Sequence, residues 1–126
     1  MKVDYLQKIN STHYNKNNVL VFSDLLNVAI GKKLKNLYLE KYDASIRYYD
    51  ISGEGETIVF LPGLSVASIA NFLSVTTNPK LHIHRSIMVD YIGSGFSDHS
   101  KTFSYDMEDH AETVASILDH ENIKNA

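Results

Sequence analysis

The sequence predicts an α/β domain: an antiparallel hairpin, then a parallel β-α-β unit with one further helix, all behind a helical N-terminal extension. Three observations predict it. Residues 57–65 read T-I-V-F-L-P-G-L-S, so Ile58, Val59, Phe60 and Leu61 form an unbroken apolar run stopped by Pro62 and Gly63. A short apolar run closed by a breaker pair suits a strand buried on both faces, as in parallel sheets. A second such run, Ile87, Met88 and Val89, follows about one helix length later, and helical spacing follows each of the two. Before them, residues 36–50 keep the period of two that marks half-buried strands.

Taken in order, residues 1–18 are polar and rich in Asn and Lys, and read as a loosely ordered lead-in. Residues 19–34 predict a helix, with Val21, Leu25 and Val28 on one face and Asn18 as N-cap. Gly31 and the Lys32-Lys33 pair stand near its end, where cations suit the helix dipole. The expected division is therefore 1–35 as the extension and 36–126 as the domain. Leu37 and Leu39, then Ile46 and Tyr48, predict a hairpin at the sheet edge, turning at Tyr42, Asp43 and Ala44. The S-G-E-G-E stretch at 52–56 reads as a mobile loop. No helix follows its G-x-G and two glutamates sit within it, so the dinucleotide reading fails.

Beyond Gly63, a stripe of Val66, Ile69, Ala70 and Leu73 predicts a helix ended by Asn78 and Pro79. Residues 84–90 predict the second buried strand, and 90–98 (D-Y-I-G-S-G-F-S-D) a glycine-bearing loop. Ser104 is the expected N-cap of a last helix whose first turn carries Asp106, Glu108 and Asp109. Met107, Ala111, Val114 and Leu118 are its expected buried face.

Composition excludes several classes. A net charge of −3 with no basic run argues against a nucleic-acid partner. With no cysteine there is no disulfide, Cys-ligated zinc or thiol nucleophile, and a cytoplasmic location is expected. The greasiest region, 19–30, is broken by Ser23, Asp24 and Asn27, too short and polar for a membrane span or a signal peptide. His82 and His84 would share one strand face as half a metal site, but no third ligand is near, so neither metal nor cofactor is expected.

From about Leu37 to Ala126 the order and spacing of L-P-G-L-S (61–65), D-Y-I-G-S-G-F-S-D (90–98) and the acidic-capped helix after 103 resemble the first half of an α/β-hydrolase. The resemblance implies that Leu64, following the breaker pair, lends a backbone N–H to an oxyanion hole. Pro62 replaces the histidine usual there, while Gly63, Ser65, Asp90, Gly93 and Gly95 frame the turn and the facing loop. A tight strand exit without chemistry is the competing reading. The G-x-S-x-G nucleophile elbow of that family occurs nowhere in these 126 residues, and the family's acid and histidine have no counterpart. Ser97, Asp98 and His99 are consecutive and cannot form a triad among themselves; no spacing supports Ser65 or Ser94 paired with His99 or His110. Asp109, His110, Asp119 and His120 read as surface helix residues.

The resemblance therefore implies ester, acyl or related small-molecule hydrolysis by the complete fold, with these residues a truncated, inactive part of it. Half of a split hydrolase and a non-catalytic interaction module are the alternatives. In the family's sheet the 58–61 strand would have a further neighbour. Here it is expected to be an exposed apolar edge, open to a partner chain or to self-association.

Overall fold

The computed structural model describes residues 34–76 and 78–126. The lead-in and the expected N-terminal helix lie outside the described residues, except that Leu34 opens a strand rather than closing a helix. Residues Lys35–Ala126 form one compact unit.

Strand β1 (Leu34–Leu39) is followed by a single 3₁₀ turn (Glu40–Tyr42) and strand β2 (Ala44–Ile51). Asp43 takes the left-handed conformation between them (φ 46°), with its N–H on the Glu40 carbonyl. So short a connection between neighbouring strands imposes the antiparallel return that the alternation of Leu37, Leu39, Ile46 and Tyr48 predicts. Strand β3 (Thr57–Phe60), helix α1 (Ser68–Thr76), strand β4 (Arg85–Asp90) and helix α2 (Met107–His120) complete the chain.

The sheet order is β1-β2-β4-β3. β4 is its centre, antiparallel to β2 (Arg47 opposite Asp90, Ile51 opposite Ser86) and parallel to β3 (Thr57 opposite Arg85, Phe60 opposite Met88). Its five residues from Ser86 to Asp90 are all buried. β3 is an edge, as expected, but its four residues are only half-buried and Leu61 beyond them is exposed, so burial on both faces does not hold there. The reason is topological: among the described residues β3 has no strand neighbour on its outer side.

Alternation divides the core. Ala44, Ile46 and Tyr48 of β2 and Ile87 and Val89 of β4 join Tyr42, Ile92, Phe103 and Ile117 of α2 in one cluster. Residues of the opposite parity, Tyr49 and Met88, are buried along with Ile69 of α1. Helix α2 is turned by about one residue from its expected face. His110, Thr113 and Ile117 are buried, Val114 and Leu118 half-buried, and Ala111 and Met107 exposed. The polar pair tolerates burial because Thr113 Oγ1 donates to the His110 carbonyl (2.7 Å) and the imidazole sits among Tyr91, Phe103 and Tyr105. Its N-cap is Asp106, which accepts the Asp109 N–H (2.8 Å), rather than Ser104. The left-handed Tyr105 (φ 63°) redirects the chain after Ser104, which accepts the Asp106 N–H instead.

Two loops also depart from expectation. The 52–56 stretch is seated rather than loose: Gly55 N–H bonds the Ile83 carbonyl (2.9 Å), and a Cβ at Gly53 would stand 2.3 Å from the His84 backbone. His82 and His84 lie in the turn before β4, not on a strand face, and their Nδ1 atoms donate separately to the Pro79 and Glu56 carbonyls. No cluster of metal-ligating side chains is present among the described residues.

At the start of β4, Arg85 donates to both Asp50 oxygens (2.9 Å each) and to Glu121 (2.8 Å). Lys35 reaches the same two carboxylates (2.6 and 2.9 Å), and Tyr48 OH donates to Glu121. This cluster ties β1, β2, β4 and the end of α2 together. Burial pushes the Asp50 carboxyl up, but hydrogen bonds from Arg85 and Lys35 outweigh it and hold the group below its ordinary value. Glu121 is held down in the same way, against burial, by Tyr48, Lys35 and Arg85.

Candidate functional site

The carboxyl ends of the parallel strands β3 and β4 bring the L-P-G-L-S turn beside the glycine-bearing loop, the position where open α/β sheets bind ligands. After β3 the chain leaves through Leu61 and a buried Pro62, and turns at residues 63–66, where Val66 N–H bonds the Gly63 carbonyl (3.3 Å). Ser65 sits in the left-handed region (φ 64°), a conformation that costs a non-glycine residue about 1 kcal/mol or more. Ser65 N–H is taken by Ser94 Oγ of the facing loop (3.1 Å). The Leu64 N–H has no intramolecular partner among the described residues, and its side chain is 60% exposed. A Cβ placed at Gly63 would meet nothing within 4 Å, so the space over the turn is open.

Beneath the turn lies Asp90, the last residue of β4 and fully buried. Its Oδ1 accepts both the backbone N–H and the hydroxyl of Ser68 (2.7 Å each), and its Oδ2 accepts the Phe96 N–H (2.9 Å). Among the described residues no cation pairs with it; donors and the positive end of α1 satisfy its charge. The 90–98 loop coils around this carboxylate. Gly95 is left-handed (φ 54°), and a Cβ there would stand 2.2 Å from Asp90 Oδ2. Gly93 (φ 87°) donates to the Asp98 carbonyl (2.9 Å), and a Cβ there would meet the Tyr105 ring at 2.6 Å. Ser97 Oγ donates to the Asp90 carbonyl (2.6 Å) and accepts from Arg47 N–H (2.7 Å), stitching the loop to β2. Tyr49 OH is buried without a hydrogen-bond partner, and its ionisation is pushed up by burial first and by the Asp90 charge second.

The structure thus brings together all seven residues singled out around the turn: Pro62, Gly63, Leu64 and Ser65 on one side, Asp90, Gly93 and Gly95 on the other. Among the described residues it does not assemble a nucleophile with a base. Neither Ser65 nor Ser94 bonds an imidazole; His99 is exposed, and His110 is enclosed by aromatic rings on α2 with Nδ1 unpartnered. His110 is 5% exposed, which corrects its reading as a surface residue. Burial lowers its pKa against the opposing pull of Asp106 and Asp109. Ser68, Ser94 and Ser97 are the site residues that sequence reasoning missed. Ser68 stands at the first turn of a helix, Ser94 between two glycines and Ser97 in the same loop, but small polar residues at such places give no signal of what they bond.

One free, fixed N–H over an open space can stabilise a negatively charged oxygen. By itself it neither generates a nucleophile nor moves a proton.

No protein-family model matches the sequence. The mesoderm-specific transcript protein of Mus musculus is 31% identical over 75 residues, covering 60% of this chain and 22% of that protein. Its Homo sapiens homolog is 29% identical over the same coverage. Among solved structures, an N-acyl homoserine lactonase (AidH) complexed with N-butanoyl homoserine aligns with a TM-score of 0.63 and 24% identity, over 74% of this chain and 34% of its own. An N-acyl homoserine lactone degrading enzyme aligns at 0.60 and 28%, over 73% and 33%. A meta-cleavage product hydrolase (CumD) aligns at 0.61 and 23%, over 73% and 33%. The chain spans about a fifth of the length of these curated relatives and a third of these structures. The neighbours are α/β-hydrolase-fold enzymes, so the described residues form a partial α/β-hydrolase-like fold.

Proposed function

From that fold we propose that residues 36–126 are the N-terminal part of a hydrolase domain carrying one side of its oxyanion hole, with residues 1–35 as an extension and a cytoplasmic location. The complete fold hydrolyses an ester, an acyl compound or a related small molecule. The carrying observation is the Leu64 N–H: without a partner among the described residues, on an exposed residue beside the open space at Gly63, and held in a turn whose next N–H is already bonded. As a nucleophile adds to a carbonyl, the oxygen gains negative charge. A donor already aimed there lowers the barrier without reorganising, by about 3 kcal/mol or 10²- to 10³-fold. The 126 residues lack the G-x-S-x-G elbow, and no base among the described residues bonds Ser65 or Ser94, so on this reading the chain is inactive alone.

In any preparation that hydrolyses a short activated ester, Leu64→Pro removes the donor and is expected to lower kcat about 10²-fold or more. Leu64→Ala keeps the N–H and the rate. Equal rates for both variants would sink the oxyanion role.

A second reading is supported by β3, whose outer side has no strand neighbour among the described residues. A partner chain, or a second copy, adds a strand there and either completes the site, as in a split hydrolase, or makes the chain a non-catalytic interaction module. Size-exclusion with thermal melting tests it: a cooperative, monodisperse monomer that gains no partner from cell extract removes the need for such a strand.

A further inference from the structure

We infer that Ser94 and Asp90 are the positioning residues of the Leu64 donor, an inference that rests on the oxyanion reading above. Leu64 is bracketed by contacts of two kinds. On its C-terminal side, the next residue, Ser65, gives its N–H to Ser94 Oγ (3.1 Å). Three residues further on, Ser68 gives both its donors to Asp90 Oδ1 (2.7 Å each). On the N-terminal side Pro62 is buried, the Gly63 carbonyl, in the same peptide unit as the Leu64 N–H, accepts from Val66 N–H (3.3 Å), and the space a Cβ would fill at Gly63 is empty. The direction of the Leu64 N–H is therefore set by that turn bond and by the supports on its far side, Asp90 at the end of β4 and Ser94 in the loop after it.

The two residues act as one support. Asp90 Oδ2 holds the Phe96 N–H (2.9 Å), and the left-handed Gly95 passes so close to it that no side chain fits. Ser94 stands next to that glycine, with its own N–H on the Tyr91 carbonyl (2.9 Å) and its carbonyl accepting from Ser97 N–H (3.1 Å). Ser94 is therefore immobilised before it meets Ser65. It resists the relaxation that a left-handed, non-glycine Ser65 would otherwise undergo. Neither residue touches the reacting oxygen; both act through the turn.

Amide resonances and hydrogen exchange of the ¹⁵N-labelled chain test this. Ser94→Ala removes one acceptor, so Ser65 N–H exchange should rise about fivefold and the Leu64 cross-peak should move. Ile46 and Val89 in the sheet should keep their rates, and Ser94→Thr should restore Ser65. For Asp90, Asp90→Asn should speed Phe96 exchange and move the Leu64 cross-peak. If that chain does not fold, Ser68→Ala, which removes one of two donors, should still move it. An unchanged Leu64 cross-peak in Ser94→Ala, or acceleration of Val89 by the same factor as Ser65, would overturn the positioning role. In a preparation active on esters, Ser94→Ala should lower kcat and leave KM. The amide result stands or falls without turnover, so failure of the oxyanion reading in the Leu64→Pro assay is separable from failure of this inference.

Discussion

The two ends of β4 solve the problem of a buried charge in opposite ways. At the start, Arg85 meets Asp50 and Glu121, with Lys35 and Tyr48 closing the set, so each buried carboxylate has a cation. At the end, Asp90 is buried more deeply still and, among the described residues, meets only N–H and O–H donors. The first end joins elements distant in sequence and leaves none of those five groups unpaired. The second organises a turn and leaves the N–H of the exposed Leu64 without a partner among the described residues. An ion cluster ties strands and helix together, and hydrogen-bond donors gathered on one carboxylate tie a turn to the loop that faces it.

The largest expected break is at the ionic end. Arg85→Met leaves Asp50 and Glu121, whose side chains are 9% and 11% exposed, with Lys35 as their shared cation. It should cost about 3 kcal/mol in urea unfolding. At the dipolar end, Gly95→Ala forces a Cβ onto the Asp90 carboxylate at a positive φ, and should cost about 2 kcal/mol. If Gly95→Ala proved neutral, the loop would not be built around Asp90.

The two ends should also part in acid. Asp50 and Glu121 titrate lower in the folded chain, so the unfolded chain takes up protons first as pH falls below about 4. The stability they give is full above that pH and is lost as pH drops through their folded values. Melting temperature should fall steeply there, and less so in Arg85→Met. The smallest effect is at His110. Its imidazole, lowered by burial, leaves the unfolded chain to bind a proton first near pH 6.5. Stability should decline modestly below that pH and then level off, and His110→Phe should flatten the step.

Much of this was legible before any coordinates. The edge hairpin, the two strand–helix steps and the turn at Pro62 and Gly63 follow from period and breakers, which are local properties. The edge position of β3 followed from the family's strand order. What local pattern missed is what long-range contact decides. His110 reads as surface and Thr113 stands off the expected buried face, because the sequence does not show that a Thr hydroxyl bonds back into its own helix, or that three aromatic rings enclose an imidazole. Capping by Asp106 instead of Ser104 depended on a left-handed Tyr105. At the site, Leu64 and the glycines were marked by motif. Their supports, Ser68, Ser94 and Ser97, lie 22, 29 and 50 residues from Asp90, Ser65 and Arg47, and small hydroxyls advertise nothing.

The central claim is that the dipolar end of β4 is half a catalytic site: a placed donor with no nucleophile to serve. Hydrolysis of a small activated ester such as p-nitrophenyl acetate by the purified 126-residue chain tests it most directly. The account predicts a rate equal to buffer. A rate above buffer that is abolished by Ser65→Ala or by Ser94→Ala would contradict it.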